Sequence, residues 1–209
     1  ITVNVTNVND NTPSITSNAT FSAAENQTAI GTVTATDADG DTLSYSLSGT
    51  DTSAISINST SGMLVFNTAP DYEIKTSYSV IVTVSDGSES ASQTLNITIL
   101  DVDDVAPVFT SDATFSAAEN QTSIGAVTAT DADTDDSLIV FSVSGSELLI
   151  TSGGILTFAN VPDYETKASY TATVTASDGT NSATQDITVN VTNVNDNTPS
   201  ITSSATFSA

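Results

Sequence analysis

The strongest constraint on this chain is that it repeats. Residues 1–23, ITVNVTNVNDNTPSITSNATFSA, return at 187–209 with Asn18 replaced by Ser204, an offset of 186 residues. A shorter period lies inside that one. FSAAENQT begins at Phe21 and again at Phe115, and FSA begins once more at Phe207. TATDAD occupies 34–39 and 128–133, PDYE 70–73 and 162–165, and SDG 85–87 and 177–179. The unit is therefore 92–94 residues. The segments that join units read NVNDNTPSIT, DVDDVAPVFT and NVNDNTPSIT, so two kinds of unit alternate in the order A–B–A. A unit of this length can bury a core of its own. It is too long for one turn of a solenoid or one blade of a propeller. A chain that opens and closes on the same text reads as a window on a longer array.

Hydrophobic spacing assigns the fold class. Tyr78, Val80, Val82 and Val84 alternate with polar or smaller residues, as do Leu95, Ile97 and Ile99, and Ile187, Val189 and Val191. Period-two alternation marks half-buried strands. No stretch carries a helical stripe. Short runs separated by turn residues such as Gly31, Gly49, Gly62 and Gly87 number about seven per unit, the count of an immunoglobulin-like sandwich. The expected architecture is all-β: tandem Greek-key sandwiches of seven strands each, joined end to end. The expected segments are 1–6, the last strand of a preceding repeat; 7–100, an A-type repeat; 101–192, a B-type repeat; and 193–209, a linker and the first strand of a further A-type repeat.

The charge is one-sided. Twenty-five acids face two lysines, with no arginine and no histidine, for a net charge of −23. Lys75 and Lys167 stand at equivalent places after the two DYE triplets. With so few cations in the chain, ion pairing is not expected to neutralise the acids; they must repel, face water or bind metal ions. Phosphate recognition needs Lys and Arg, so a nucleic-acid partner is excluded, and anionic membranes are excluded for the same reason. No apolar run is long enough to span a bilayer, and direct membrane insertion is not expected. With no cysteine there are no disulfides. Without His or Cys, Ser–His and Cys–His nucleophile systems are absent. Paired carboxylates could serve glycoside hydrolysis, but here they recur identically in each unit. The chain is read as a non-enzyme. Outward strand positions are rich in Thr, Ser and Asn, which suits strands at little cost. Sequons such as Asn26-Gln27-Thr28 and Asn58-Ser59-Thr60 arise readily in such a composition.

The acids gather in five places per unit: AEN, DAD, DYE, SDG and the inter-unit segment. Hard divalent cations take six to eight oxygens from carboxylates, amides and carbonyls. Recurrence at matched positions, with no basic partners, points to cation binding. The DADGD run is not an EF-hand loop: counting from Asp37, the sixth residue is Thr42 and the twelfth Ser48, where Gly and Glu are required. Counting from Asp131 gives Asp136 and Ser142, which fail as well.

The arrangement resembles the cadherin repeat, in the bacterial cadherin-like form of large surface adhesins, over essentially the whole chain. The residues that carry the resemblance are Glu25, Asp71-Tyr72-Glu73, Asp101-Val102-Asp103-Asp104-Val105, Asp131-Ala132-Asp133 and Asp178. They match the family's Glu after the first strand, acidic triplet, DxNDN linker, DxD pair and Asp before the last strand. The resemblance implies about three calcium ions (Ca2+) per complete junction. The outermost site would use Glu25, Asp71, Glu73 and Asp104. The middle one would use Glu25, Glu73, Asp101, Asp104 and Asp133, with the Val102 carbonyl. The third would use Asp103, Asp131, Asp133 and Asp178, with the Val105 carbonyl. Val105 replaces the family's Asn, but only its backbone is needed. The family also implies that Asn9, Asp10, Asn11, Asp37, Asp39 and Asp86 form the downstream part of a second junction. Glu119, Asp163, Glu165, Asn193 and Asp196 would form the upstream part of a third. Those two linkers begin with Asn7 and Asn193 where the central one has Asp101. The middle site there loses a charge, and weaker calcium binding is expected.

The implied function is structural: a calcium-rigidified segment of a long extracellular repeat protein, an adhesin shaft or surface filament at the bacterial cell surface. Its implied partners are neighbouring repeats of the same chain, with self-association into filaments or bundles as a further option. The alternative is an adhesive module that binds a protein or glycan through the repeat faces. The family's Trp-anchored adhesion does not carry over, because the chain has no Trp. Tyr45, Tyr78 and Tyr170 are the aromatic candidates for a glycan, though core packing is their commoner role.

Overall fold

The computed structural model describes residues 1–203. The predicted first strand of a third repeat, around Phe207, lies outside them. The chain divides between Val102 and Asp103 into two units, each with its own core.

The first unit carries β1 (Ser14–Ile15), β2 (Thr20–Ala24), β3 (Ala29–Thr32), β4 (Ala35–Thr36), β5 (Ser44–Ser48), β6 (Ile55–Ile57), β7 (Met63–Phe66), β8 (Ser77–Ser85) and β9 (Ser90–Leu100). One sheet has the order β2-β9-β8-β5 and the other β3-β7-β6, with β1 paired to β4. Nine segments make seven runs, because β1/β2 and β3/β4 are each one run that is interrupted. β1 pairs antiparallel with β4, whereas β2 pairs parallel with β9 (Phe21 opposite Ile97). The first run thus crosses from one sheet to the other, a Greek-key sandwich with its opening strand shared. β8 and β9 pair through nine consecutive positions, with Tyr78 opposite Ile97 and Val84 opposite Ala91.

The alternation read from the sequence is the core. Val80, Val82, Val84, Leu95, Ile97 and Ile99 are all buried, with Leu64 and Phe66 of the facing sheet and Val33 just after β3. Burying one such side chain is worth about 1.5–3 kcal/mol, so these two strands dominate the unit's stability. Gly62 is required by space and by conformation. Its φ is +72°, and a Cβ there would lie 2.2 Å from the Val33 carbonyl oxygen, which is close because Val33 N–H donates to Gly62 O at 2.9 Å.

The second unit repeats the plan with β10 (Val108–Phe109), β11 (Thr114–Ala118), β12 (Ser123–Ala126), β13 (Ala129–Thr130), β14 (Val140–Val143), β15 (Leu148–Ile150), β16 (Ile155–Phe158), β17 (Ser169–Ser177) and β18 (Ser182–Thr192). Its sheets are β11-β18-β17-β14 and β12-β16-β15, with β10 on β13. Val174, Ala176, Ile187 and Val189 are buried with Leu156 and Phe158. Gly154 does what Gly62 does: a Cβ there would lie 2.2 Å from the Val127 carbonyl oxygen. The one helical element among the described residues is a 3-10 turn at Asp136–Leu138, in a loop two residues longer than its counterpart.

Both lysines are paired, with acids that lie outside the five recurrent clusters. Lys75 Nζ lies 2.5 Å from Asp51 Oδ1 and 4.3 Å from the Tyr78 ring centre. Lys167 Nζ lies 2.5 Å from Glu147 Oε1 and 4.5 Å from the Tyr170 ring centre. Those tyrosines pack on Phe66 and Phe158, at 5.1 and 5.0 Å between ring centres. Tyr45 likewise packs against the first core. The three tyrosines therefore serve packing, as their commoner role suggested. Residues 1–10 form no strand and Val3 and Val5 are exposed, whereas the same text at 187–192 is the buried end of β18.

Candidate metal centres

The eleven-residue β9 runs from the Asp86 turn to the 101–102 segment, so its ends lie about 35 Å apart at a strand's usual rise. An acidic cluster forms at each end, and β18 organises the second unit in the same way.

At the end reached by β9 stands Glu25, directly after β2 and only 3 % exposed. Its carboxylate accepts Tyr72 N–H at 2.7 Å and Val102 N–H at 2.9 Å. One buried acid thereby ties the DYE loop and the linker together, and two charge-assisted bonds make its burial tolerable. Asn26 supports this with a left-handed φ of 60° and an N–H to Pro70 O at 3.0 Å. Asn tolerates that conformation better than most residues, which accounts for the AEN order. Glu73 has carboxylate oxygens within 4.8 Å of Glu25 and of Asp101. Asp71 accepts Ile74 N–H at 3.0 Å.

The second unit builds the same cluster. Glu119 is 3 % exposed. It accepts Tyr164 N–H at 2.8 Å and Val194 N–H at 2.7 Å. Asn120 is left-handed at φ 66°. Glu119, Asp163 and Glu165 place carboxylate oxygens within 4.8 Å of one another. Asn193 donates to Glu165 at 3.0 Å and Asn120 to Asp196 at 2.6 Å.

The opposite ends gather the linker, DxD and SDG residues. In the first unit Asp39 Oδ2 accepts the N–H groups of Asp10 and Asn11, both at 2.9 Å, and Asn11 Nδ2 donates to Asp39 Oδ1 at 2.9 Å. The Asp10 N–H first, then the Asn11 groups, hold the Asp39 pKa down against desolvation. Asp86 Oδ1 accepts Ser88 and Glu89 N–H at 2.6 and 2.7 Å. The Glu89 and Ser88 amides, in that order, hold its pKa down too. In the second unit Asp133 Oδ2 accepts Asp104 and Val105 N–H at 2.8 and 2.6 Å. Asp131 Oδ1 accepts Asp133 and Thr134 N–H, both at 2.9 Å. Asp178 Oδ1 accepts Thr180 and Asn181 N–H, both at 2.6 Å.

Asp39 uses both of its oxygens, but in Asp37, Asp86, Asp131 and Asp178 Oδ1 alone carries the hydrogen bonds, and Oδ2 decides the chemistry. Asp37 Oδ2 and Asp86 Oδ2 are buried with no hydrogen-bond partner, and so are their counterparts Asp131 Oδ2 and Asp178 Oδ2. Asn9 Oδ1 and Asp41 Oδ2 complete the set in the first unit. An unsatisfied buried carboxylate oxygen is costly. The same atoms orphaned at equivalent places in two units are a donor set awaiting an acceptor of electron pairs. All are hard oxygens, with the Val105 carbonyl beside Asp103, so the set fits calcium.

Three participants, Asp41, Thr180 and Asn181, were not anticipated from sequence. Asp41 places a carboxylate oxygen within 4.8 Å of those of Asp37 and Asp39. Its pKa is raised by burial first, then by the charges of Asp37, Asp39 and Asp86. Asn181 approaches Asp103 O at 3.4 Å and Val105 O at 3.5 Å, while Thr180 donates to Asp103 Oδ2 at 2.7 Å. The third-site residues predicted for the second unit, Asp103, Asp131, Asp133, Asp178 and Val105, all belong to that unit. Those of the first unit, Asn9, Asp37, Asp39 and Asp86, belong to the first.

Immunoglobulin-like sandwiches in tandem, with acidic clusters at the ends of the last strand, define a class of extracellular calcium-binding repeat. A cadherin domain profile matches residues 18–100. Protocadherin Fat 4 of Homo sapiens is 33% identical over 217 residues, covering 95% of this chain and 4% of its own length. The protocadherin-like wing polarity protein stan of Drosophila melanogaster is 33% identical over 233 residues, covering 97% and 6%. The crystal structure of mouse cadherin-23 EC22-24 superposes with a TM-score of 0.77 at 26% identity, covering 90% of this chain and 68% of that one. The chain belongs to the cadherin family. It spans only a small share of the curated relatives it matches, and those relatives are adhesion proteins rather than enzymes.

Proposed function

We propose that this chain is a structural segment of a long extracellular repeat protein, an adhesin shaft or surface filament, stiffened by calcium. The observation that carries the reading is the matched set of orphaned, buried oxygens on Asp37 and Asp86 in one repeat and Asp131 and Asp178 in the other. Cadherin domains bind calcium at the junctions between repeats. By that resemblance Glu25, Asp71, Glu73 and Asp101 would share about three ions with Asp103, Asp104, Asp131, Asp133 and Asp178, which follow in sequence. Nine carboxylates then face a charge of about +6, and their mutual repulsion without metal becomes attraction with it. The A-type linkers, which begin with Asn7 and Asn193, would hold the middle ion less tightly.

In this role calcium supplies charge neutralisation and coordination, and the protein supplies position. Glu25 and Glu119 lock a loop and a linker to β2 and β11. Asp39 and Asp133 wrap the linker backbone around the DxD turn. A shaft needs nothing else of its faces. Tyr45, Tyr78 and Tyr170 are spent on core packing, which favours the shaft over a glycan-binding face.

The test is small-angle scattering with thermal melting, with calcium and with excess chelator. An extended, stable chain that becomes flexible and melts lower on chelation supports the reading. Profiles and melts that superimpose in the two conditions contradict it.

A further inference from the structure

We propose that Asp41 is a calcium ligand of the first repeat, supplying the carboxylate that its linker lacks. The inference rests on the calcium reading above and concerns a cluster contained within one unit. The third linker position is Asp103 in the B-type repeat but Asn9 in the A-type repeat. An Asn offers one neutral oxygen where Asp offers a charged pair. On that count the A-type cluster is one charge short.

Asp41 restores the number. With Asp41 the linker, DxD and SDG acids Asp10, Asp37, Asp39 and Asp86 become five, matching Asp103, Asp104, Asp131, Asp133 and Asp178 of the second unit, where the exposed Asp136 also approaches and accepts Asp131 N–H at 2.9 Å. The placement of Asp41 follows from its neighbour. Gly40 has a left-handed φ of +80° with open space around it. The backbone there doubles back, and Asp41 N–H reaches Asp37 Oδ1 at 3.4 Å. The Asp41 side chain then faces Asp37 and Asp39. Its Oδ2 is buried and unsatisfied, as is Asn9 Oδ1, the group it complements.

The B-type repeat shows the alternative. Thr134 stands where Gly40 does, and the loop is two residues longer. Asp135 is exposed and caps the 3-10 turn, accepting Ser137 N–H at 2.9 Å. Asp135 turns to that cap, its exposed neighbour Asp136 accepts Asp131 N–H at 2.9 Å, and the linker carboxylate here is Asp103. The two repeats have exchanged a linker carboxylate for a loop carboxylate.

Calorimetric calcium titration of the full 209-residue chain tests this with Asp41→Asn, Asp135→Asn and the double variant Asn9→Asp/Asp41→Asn. Asp41→Asn is expected to weaken one class of sites about tenfold, Asp135→Asn to leave every class unchanged, and the double variant to recover most of the loss. Circular dichroism of each calcium-free variant verifies that the fold is kept. An Asp41→Asn isotherm equal to wild type overturns the inference and leaves the calcium reading standing. A double variant as weak as Asp41→Asn overturns the exchange. A wild-type chain that takes up no calcium overturns the calcium reading and this inference together.

Discussion

The first and second repeats share a fold and differ in how they assemble the cluster beside the DxD turn. Both use a last strand whose ends anchor acids, both bury one glutamate under two backbone amides, and both leave the same aspartate oxygens unsatisfied. The first takes its fifth carboxylate from a glycine-turned loop, the second from the linker. On the proposal that Asp41 is a ligand, charge at the metal seat is kept while its source moves. A seat defined by total charge and geometry can be reached from several sequence positions, so motif matching alone misjudges individual repeats.

Removing calcium is the largest perturbation and acts on both repeats alike. Saturation at a hundredfold excess over Kd stabilises by about 2.7 kcal/mol per site. For domains of this size each kcal/mol is worth roughly 4–8 °C, so chelation is expected to lower Tm by more than ~10 °C. A differential scan that shows the loss in only one of two transitions would break the comparison.

Glu25→Ala and Glu119→Ala come next. Each leaves two backbone N–H groups without acceptors, at a cost of about 3 kcal/mol. Denaturant melts without calcium should show the two variants nearly equal, because each glutamate is buried and accepts the matching pair of backbone amides. A difference of more than about 1 kcal/mol would show that the two buried glutamates are not equivalent.

Asp41→Asn separates the repeats, with opposite signs in the two conditions. Without calcium its charge opposes Asp37, Asp39 and Asp86, and its folded pKa lies above the ordinary 3.8. The destabilisation by its charged form is therefore present above that raised pKa and disappears as pH falls through it. Asp39 and Asp86 have depressed pKa values. Their contribution is present above 3.8 and is lost as pH falls through their lower folded values. At neutral pH Asp41→Asn should raise the Tm of the calcium-free chain and lower that of the loaded chain. Asp135→Asn, which keeps an oxygen to cap the 3-10 turn, should leave Tm nearly unchanged in both.

The lysines give the smallest effect. Lys75→Met should cost about 1 kcal/mol and Lys167→Met less, since exposed pairs are worth about 0–1 kcal/mol. The Asp51 side chain is 19% exposed against 54% for Glu147. Chemical denaturation at low and high salt would rank the two.

Much of this was legible in the sequence. Alternation at Val80, Val82 and Val84, and at Ile187, Val189 and Val191, located the central strands, because a two-residue period has one structural meaning. The acidic motifs found each cluster because they recur at fixed offsets. Other features depend on contacts far apart in the chain. The text ITVNVT is a buried strand end at 187–192, where β11 and β17 flank it, and an exposed segment at 1–6, where no described strand does. Lys75 meets Asp51 only because the loop ahead of β6 folds beside β8. Asp41 turns inward because Gly40 adopts a left-handed conformation. Its presence in DADGD was visible, but its direction was a property of the backbone.

Calorimetric titration of calcium into the chelator-treated 209-residue chain addresses the central claim most directly. Saturable uptake, accompanied by a rise in Tm, is the predicted result. No heat and no Tm change at millimolar calcium would contradict it, and the orphaned oxygens of Asp37, Asp86, Asp131 and Asp178 would then need another partner.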